Sequence, residues 1–397
     1  GEAWEPRAAP EQDARADDGP ADISRLVDAV ARAAQRAGVP APRRPWQDEL
    51  SAVYDLSKLH QRTDAELALG VSDLPHEQDR SQAAFRPDVD GNMVVFGTGR
   101  SGKSTVLRTV ALAAGIAPRG GPCHVYGLDF GAGGLAMLEG LPHVGSVISG
   151  DDHERIARLL RRLRHTVDER ALRYARVRAA SISEYRQITG ADDEPRILVL
   201  LDGLAAFLQE YEFTPRGPWF QLFQQIAADG RQVGVHVVLS ADRPGTLPSS
   251  LGASVQRRLV LRLADPGDYA LVGVDDDVLD PTSPPGRGVM DGLEVQVAVL
   301  GGSSNVAEQA RAVSMLRESI ERAGVLPAPP VERLPERVPL QGQPVRVDGR
   351  PTLGLSDETL GPVGFDPHGT FLIAGPPGSG RTTALGSIVA SHCRAAP

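Results

Sequence analysis

An eight-residue stretch, Gly97-Thr98-Gly99-Arg100-Ser101-Gly102-Lys103-Ser104, follows the apolar run Met93 to Phe96 and precedes a helix-forming segment, Thr105 to Ala114. Strand, glycine loop and helix in that order constrain the fold more than any other feature of the chain. Glycines at 97 and 102 let the backbone turn its N–H groups inward, Lys103 adds a point charge, and the Ser104 hydroxyl suits Mg²⁺. The segment reads as a phosphate-binding P-loop. Gly97, Thr98, Gly99, Arg100, Ser101, Gly102, Lys103, Ser104 and Thr105 are its expected nucleotide-binding residues, and ATP with Mg²⁺ is the expected ligand. A glycine-rich surface turn is the alternative, and the flanking strand and helix argue against it.

Buried parallel strands are expected at Met93 to Phe96, His124 to Leu128, Ile197 to Leu201, Val235 to Leu239 and Leu259 to Leu263, with helices between them. That alternation is α/β, and with the P-loop it predicts a RecA-like domain with a mainly parallel central sheet flanked by helices. A long helix is expected from Asp151, with Glu154 placed for a capping box. Met290-Asp291-Gly292-Leu293 reads as a hairpin turn, and a last helix spans Val306 to Ala323.

Around this domain, placed at 67–326, the chain divides into a disordered leader (1–20), a helical extension (21–66) with a proline-rich connector at Pro40 to Pro45, and a proline-rich linker (327–350). After the linker the chain repeats itself. Leu353-Gly354-Leu355-Ser356-Asp357 lies 284 residues after Leu69-Gly70-Val71-Ser72-Asp73, and Gly375-Pro376-Pro377-Gly378-Ser379-Gly380-Arg381-Thr382 lies 278 after the first P-loop. Two motifs recurring in order at nearly one spacing predict tandem copies of one fold, the second (351–397) stopping just past its P-loop. A copy of that length cannot bury a parallel sheet, so the chain reads as a fragment of a longer protein. Gly375, Gly380, Arg381 and Thr382 mark the second loop, where Arg381 replaces lysine and its wider fork fits phosphate differently.

Arg196 to Asp202 is an apolar strand ending in a carboxylate, which predicts that Asp202 holds Mg²⁺ through water opposite Ser104; a plain strand-capping role is the alternative. Lys103 and Asp202 are the catalytic candidates. The next position, where a water-activating glutamate is expected, is Gly203, which predicts slow turnover or none.

Asp229-Gly230-Arg231-Gln232-Val233-Gly234-Val235-His236, followed by Val237 to Pro244, resembles the FtsK/SpoIIIE motor signature, with Asp242 at the position of a phosphate-sensing glutamine. An anionic side chain there would repel phosphate unless Mg²⁺ or an arginine intervened. His236, inside an apolar strand, reads as a core histidine. Leu74-Pro75-His76-Glu77-Gln78, Leu128 to Leu135, Leu141-Pro142-His143-Val144-Gly145, the Asp202-Gly203 pair and Pro285-Gly286-Arg287-Gly288 narrow the likeness to the degenerate ATPase repeats of the EccC family of type VII secretion motors. This resemblance implies neighbouring ATPase repeats as partners, ring or chain assembly, and export of small helical proteins carrying a C-terminal signal. It also implies a cytoplasmic location in a complex anchored to the membrane by regions outside this chain. Arg258 or Arg262 could by the same resemblance reach a neighbour's nucleotide in trans, a structural ion pair being the alternative.

Two distant cysteines, Cys123 and Cys393, match neither a disulfide framework nor a metal site and suit the reducing cytosol. With 51 acidic against 42 basic residues, a net charge of -9, the chain has no general attraction to DNA. Nine arginines between Arg155 and Arg178 nevertheless offer a DNA-tracking or partner-docking surface, or a merely solvated helix face. Three functions are therefore weighed: an ATP-binding secretion-motor repeat with weak hydrolysis, a DNA translocase, and a scaffold with an empty loop.

Overall fold

The computed structural model describes residues 22–40, 48–61, 63–116, 120–357 and 359–396. The leader expected at 1–20 and most of the proline-rich connector lie outside them. The chain divides into two units, 1–48 and 49–397. In the first, helix α1 (Asp22–Arg36) carries Asp22 in its first turn and Arg36 in its last, both favourable to the helix dipole, and none of its side chains is buried.

The second unit begins at residue 49, so the segment 49–66, expected to belong with the helical extension, is part of the main domain. Leu56 is fully buried there. Its strands β1 (Leu67–Leu74) and β2 (Asp79–Phe85) form a hairpin, followed by the short helix α2 (Pro87–Asp90). Strand β3 (Met93–Phe96) leads through the glycine loop into α3 (Lys103–Ile116). Next come β4 (Cys123–Asp129), β5 (Val144–Ser149), α4 (His153–Val177) and α5 (Ile182–Thr189). Strand β6 (Arg196–Asp202) precedes α6 (Leu204–Tyr211) and α7 (Gly217–Asp229). Strand β7 (Val235–Ala241) precedes α8 (Ser249–Gly252), β8 (Arg257–Leu261) and α9 (Pro266–Ala270). Strands β9 (Arg287–Met290) and β10 (Leu293–Val297) form the expected hairpin, and α10 (Val306–Arg322) closes the domain.

The ten strands make one sheet in the order β2-β1-β10-β9-β8-β3-β7-β6-β4-β5. The six from β8 to β5 are parallel, and the other four form an antiparallel wing. Every residue of β3, β6 and β7 is buried, as expected for strands covered on both faces. Their side chains alternate between two cores. Val94 and Phe96 pack with α4 to α7, whereas Met93 and Val95 pack with α3 and α10.

Charged groups cluster at the end of the sheet where β6 and β7 begin. Asp64 accepts from Arg186 at 2.7 Å and from the fully buried Arg196 at 2.9 Å, and Arg196 also pairs with Asp88 at 2.5 Å. His236 completes this network, 3.0 Å from Arg196 and bonded to the Gly91 carbonyl, which bears out its reading as a core residue. Burial, reinforced by Arg196, pushes the His236 imidazole below its ordinary value. Burial likewise pushes His143 down to about 4.

Helix α4 departs from expectation at both its cap and its arginines. Asp152, rather than Asp151, caps it, accepting from the Arg155 N–H, while Glu154 bonds Arg158 and the Leu334 N–H. Seven of the nine arginines are tied within the chain, so neither a solvated face nor a DNA track describes them. Arg164 pairs with Asp168 and Asp229, Arg170 and Arg173 with Glu194. Four others hold the segment after residue 327, so it is a docked strap rather than a free linker. Arg162, stacked over Tyr126, donates to the carbonyls of Pro329 and Pro330. Arg155 donates to the Val331 carbonyl, Arg158 to those of Glu332 and Asp357, and Arg161 pairs with the Asp357 carboxylate. Ala328 and Val331 are buried beneath this row.

Beyond the strap, β11 (Arg346–Val347), β12 (Arg350–Leu355) and β13 (Pro362–Gly364) form a small antiparallel sheet, and α11 (Arg381–Ala395) follows the second glycine loop. The pairing of β12 with β13 slips between Thr352 and Gly354, the counterpart of the slip between Ala68 and Gly70 in β1.

Two outcomes follow. His143 and His236 stay neutral in the folded state well below the pH at which they protonate when unfolded. Stability is therefore complete above about pH 6.5 and lost as pH falls, by up to ~1.4 kcal/mol per pH unit for each histidine, as urea denaturation across that range checks. Replacing Arg158 and Arg162 by Ala is expected to raise cleavage within 327–334 roughly tenfold in native-state limited proteolysis.

Candidate nucleotide-binding site

The strand order gathers the site. Phe96 at the end of β3 lies beside Ala241 at the end of β7, and Asp129 on β4 lies directly opposite Asp202 on β6. Loop 97–104, Asp129, Asp202 and Asp242 therefore meet at one end of the sheet, outside the carboxyl ends of its parallel strands.

The loop is braced by backbone bonds. The Gly97 N–H donates to the Ala241 carbonyl at 3.1 Å, the Thr98 N–H to the Arg262 carbonyl at 2.8 Å, and the Gly286 N–H to the Ser101 carbonyl at 2.8 Å. A methyl group at Gly97 would overlap the Ser101 hydroxyl, and one at Gly102 would stand 2.6 Å from the Gly286 nitrogen. Arg100 (φ 62°) and Gly102 (φ 110°) take left-handed conformations that turn the chain around the cradle. Among the described residues, the N–H groups of Gly99, Arg100, Gly102, Lys103 and Ser104 have no protein acceptor. These donors, at the N-terminus of α3, form an anion-binding nest.

Lys103 folds back over the loop. Its ammonium donates to the carbonyls of Gly97 at 2.6 Å and Thr98 at 3.0 Å, and meets the Asp242 carboxylate at 3.0 Å. The cation beside Asp242 is thus the loop lysine itself, and not the expected Mg²⁺ or arginine. Ser104 Oγ donates to Asp202 Oδ2 at 2.6 Å, so the two expected Mg²⁺ groups already touch. A hydroxyl and one carboxylate fit Mg²⁺, which takes few protein ligands and completes its shell with water and phosphate oxygens.

Three further residues support this pair: Ser240 and Gly134 lie within segments that carry the family resemblance without being singled out by it, and Arg108 lies outside every motif. Ser240 on β7 donates to Asp202 Oδ1 at 2.6 Å and accepts the Gly203 N–H at 2.9 Å, which fixes the carboxylate. Gly134 passes so close that a methyl group there would sit 2.8 Å from both Asp202 Oδ2 and Ser104 Oγ. Arg108 on α3 holds the Gly134 carbonyl at 3.0 Å; burial lowers the pKa of its guanidinium, and Asp202 opposes that shift. Asp129 is bonded to the N–H groups of Gly131 and Leu135, which commits it to shaping this loop.

Gly203 sits at φ 90°, ψ 59°, and a side chain there would press on the Phe130 carbonyl group at 3.1–3.2 Å. The left-handed backbone and this close approach therefore disfavour a glutamate at this position.

Arg262 lies past the end of β8 and donates to the carbonyls of Pro281 and Ser283, bracing the loop that leads to Gly286. Arg258 is exposed near the start of β8, next to Val94, at the end of the sheet away from this cradle. In the second loop, Gly378 (φ 82°) and Gly380 (φ 84°) repeat the left-handed pattern of Arg100 and Gly102, and a methyl group at Gly375 would overlap the Ser379 hydroxyl as at Gly97.

The FtsK/SpoIIIE family model matches residues 49–293, the whole stretch that builds this site. The chain belongs to the FtsK/SpoIIIE family. Within that family it is similar to the type VII secretion proteins. It is 32% identical over 88% of its length to the ESX-4 secretion system protein EccC4 of Mycobacterium tuberculosis, of which it spans 28%. The cytoplasmic domain of the Thermomonospora curvata type VII secretion ATPase EccC superposes with a TM-score of 0.71 at 27% identity, covering 88% of this chain and 43% of that one. Thermomonospora curvata EccC (ATPases 2 and 3) in complex with a signal sequence peptide superposes at 0.65 and 26% identity, covering 81% of this chain and 59% of that one. The FtsK/SpoIIIE fold of this chain is therefore an EccC-like ATPase domain. Among the described residues no helix is long and apolar enough to cross a membrane.

Placing Glu at 203 is expected to cost about 1–2 kcal/mol of stability, from the left-handed backbone, and to leave ATP turnover unchanged. Thermal denaturation and a phosphate-release assay of the variant check both.

Proposed function

We propose that this domain binds ATP·Mg²⁺ in the cradle of residues 97–105, hydrolyses it slowly or not at all, and serves as a nucleotide-dependent brace in a type VII secretion motor. The observation that carries this reading is the pairing of an intact nest, with Ser104 and Asp202 together, and a neighbouring strand end at Gly203 whose left-handed backbone disfavours a glutamate. Lys103 and the nest would hold the phosphates, and Ser104 and Asp202 the metal, which when bound supplies charge neutralisation between phosphate oxygens. Asp202 is held in orientation by Ser240.

The shared strand slip, the shared left-handed pattern and the likeness to a structure containing ATPases 2 and 3 support tandem repeats, of which 351–396 would open the second. The strap on α4 supports docking between them, because its arginines hold both the connecting segment and Asp357 of the following repeat. By the same likeness, the exported substrates would be proteins bearing signal sequences, and the site of action the cytoplasmic side of the membrane. Arg258 would be the arginine available to a neighbouring copy; Arg262 is engaged by its own chain.

A scaffold that never takes nucleotide is the second reading, favoured by a lysine whose partners are all internal. A DNA translocase is disfavoured, since the arginines that would track phosphates are tied inside the chain.

Thermal denaturation with ATP·Mg²⁺ separates these. Ligand at a hundred times its Kd stabilises by about 2.7 kcal/mol, a rise in Tm of several degrees that Lys103→Ala is expected to abolish. Equal Tm with and without nucleotide supports the scaffold, and DNA-stimulated turnover above about one per second the translocase.

A further inference from the structure

The ammonium of Lys103 has three N–H donors, and three acceptors meet it: the carbonyls of Gly97 and Thr98 and the carboxylate of Asp242. The two carbonyls belong to the loop the lysine closes. Asp242 is different in kind. It follows the last residue of β7, the strand beside β3, and comes to the lysine from the rim of the cradle, its side chain 67% exposed where that of Lys103 is 13% exposed. No other partner of its carboxylate is found among the described residues, so the contact is not part of a packing network. Asp242 holds a place that the outer phosphate of a nucleotide would otherwise contest.

We infer that Asp242 is a specificity residue that sets the cradle's preference toward nucleoside diphosphate over triphosphate. This rests on the proposed reading that the loop binds nucleotide, and it deepens that reading by assigning the discrimination to one side chain. A diphosphate can be held by the free N–H donors of Gly99, Arg100, Gly102, Lys103 and Ser104, its β-phosphate sharing the Lys103 ammonium with Asp242. The lysine of such a loop reaches both the β- and γ-phosphates, so a triphosphate brings a second phosphate that draws the ammonium off Asp242 and then stands beside its unpaired negative charge. The ion pair is exposed on one side and therefore weak, which makes it a bias that ligand can overcome and not a block. Occupancy of this domain would then follow the ratio of triphosphate to diphosphate, with the tri state reached only when Asp242 is released.

The test is isothermal titration of the full chain with ADP and with ATP, each with Mg²⁺, on the natural protein and on Asp242→Asn and Asp242→Ala. Because the side chain lies at the surface, both variants are expected to fold, and circular dichroism melts verify it. The expected result is that both variants bind ATP roughly five- to tenfold more tightly while ADP affinity changes less than about twofold. Nucleotide binding with an ADP-to-ATP ratio that is the same in all three proteins overturns the role of Asp242 and leaves the nucleotide reading standing. Absence of binding in all three overturns both.

Discussion

A single bond, from Ser104 Oγ to Asp202 Oδ2, ties the two halves of the site across an intervening strand. It links residues 98 positions apart and has meaning only because β7 is inserted between β3 and β6. That insertion also brings Ser240 under Asp202 and Asp242 over Lys103, so one strand supplies the second carboxylate anchor and the lysine's counter-ion. The phosphate nest, the metal groups and the latch on the lysine are thus consequences of one strand order. Parallel strands covered on both faces tolerate polar groups only at their ends, which is where these groups lie.

The opposite end of the sheet is organised on different terms. Arg196 is fully buried, and its charge is balanced by Asp64 and Asp88. Removing one partner of such a pair would leave a buried charge uncompensated, so the network fixes the arrangement of the segment before β1 against the base of β6 and β7. The arginines of α4 do comparable work at the sheet's edge. They read mostly backbone carbonyls of the strap, which asks little of the strap's side chains beyond Ala328 and Val331. An arginine-rich helix on an acidic protein is here a device for holding chain to chain.

Much of the architecture was legible in the residues. The five apolar runs became parallel strands because continuous burial leaves no other use for them, and the Asp-Gly turn became a hairpin because both positions accept positive φ. Strands β1, β2 and β5 carry no continuous apolar run of this kind. The first two are part of the antiparallel wing and mix polar with apolar residues, and β5 is an edge strand only half buried. Asp151 and Asp152 are equivalent by composition as caps of α4, and the fold selects Asp152.

By itself the sequence determined the local chemistry: a glycine loop that can bend, a lysine and a serine at a helix start, a carboxylate closing an apolar strand, and a glycine where a base was expected. These follow from residue type and spacing along a continuous chain. Only the tertiary structure decided that Asp242 faces Lys103 and not open solvent, that Gly203 is locked in a left-handed backbone, and that the arginine row grips the strap. Each of those depends on which strands are neighbours, and contacts between residues far apart in the chain leave no periodicity for a sequence to display.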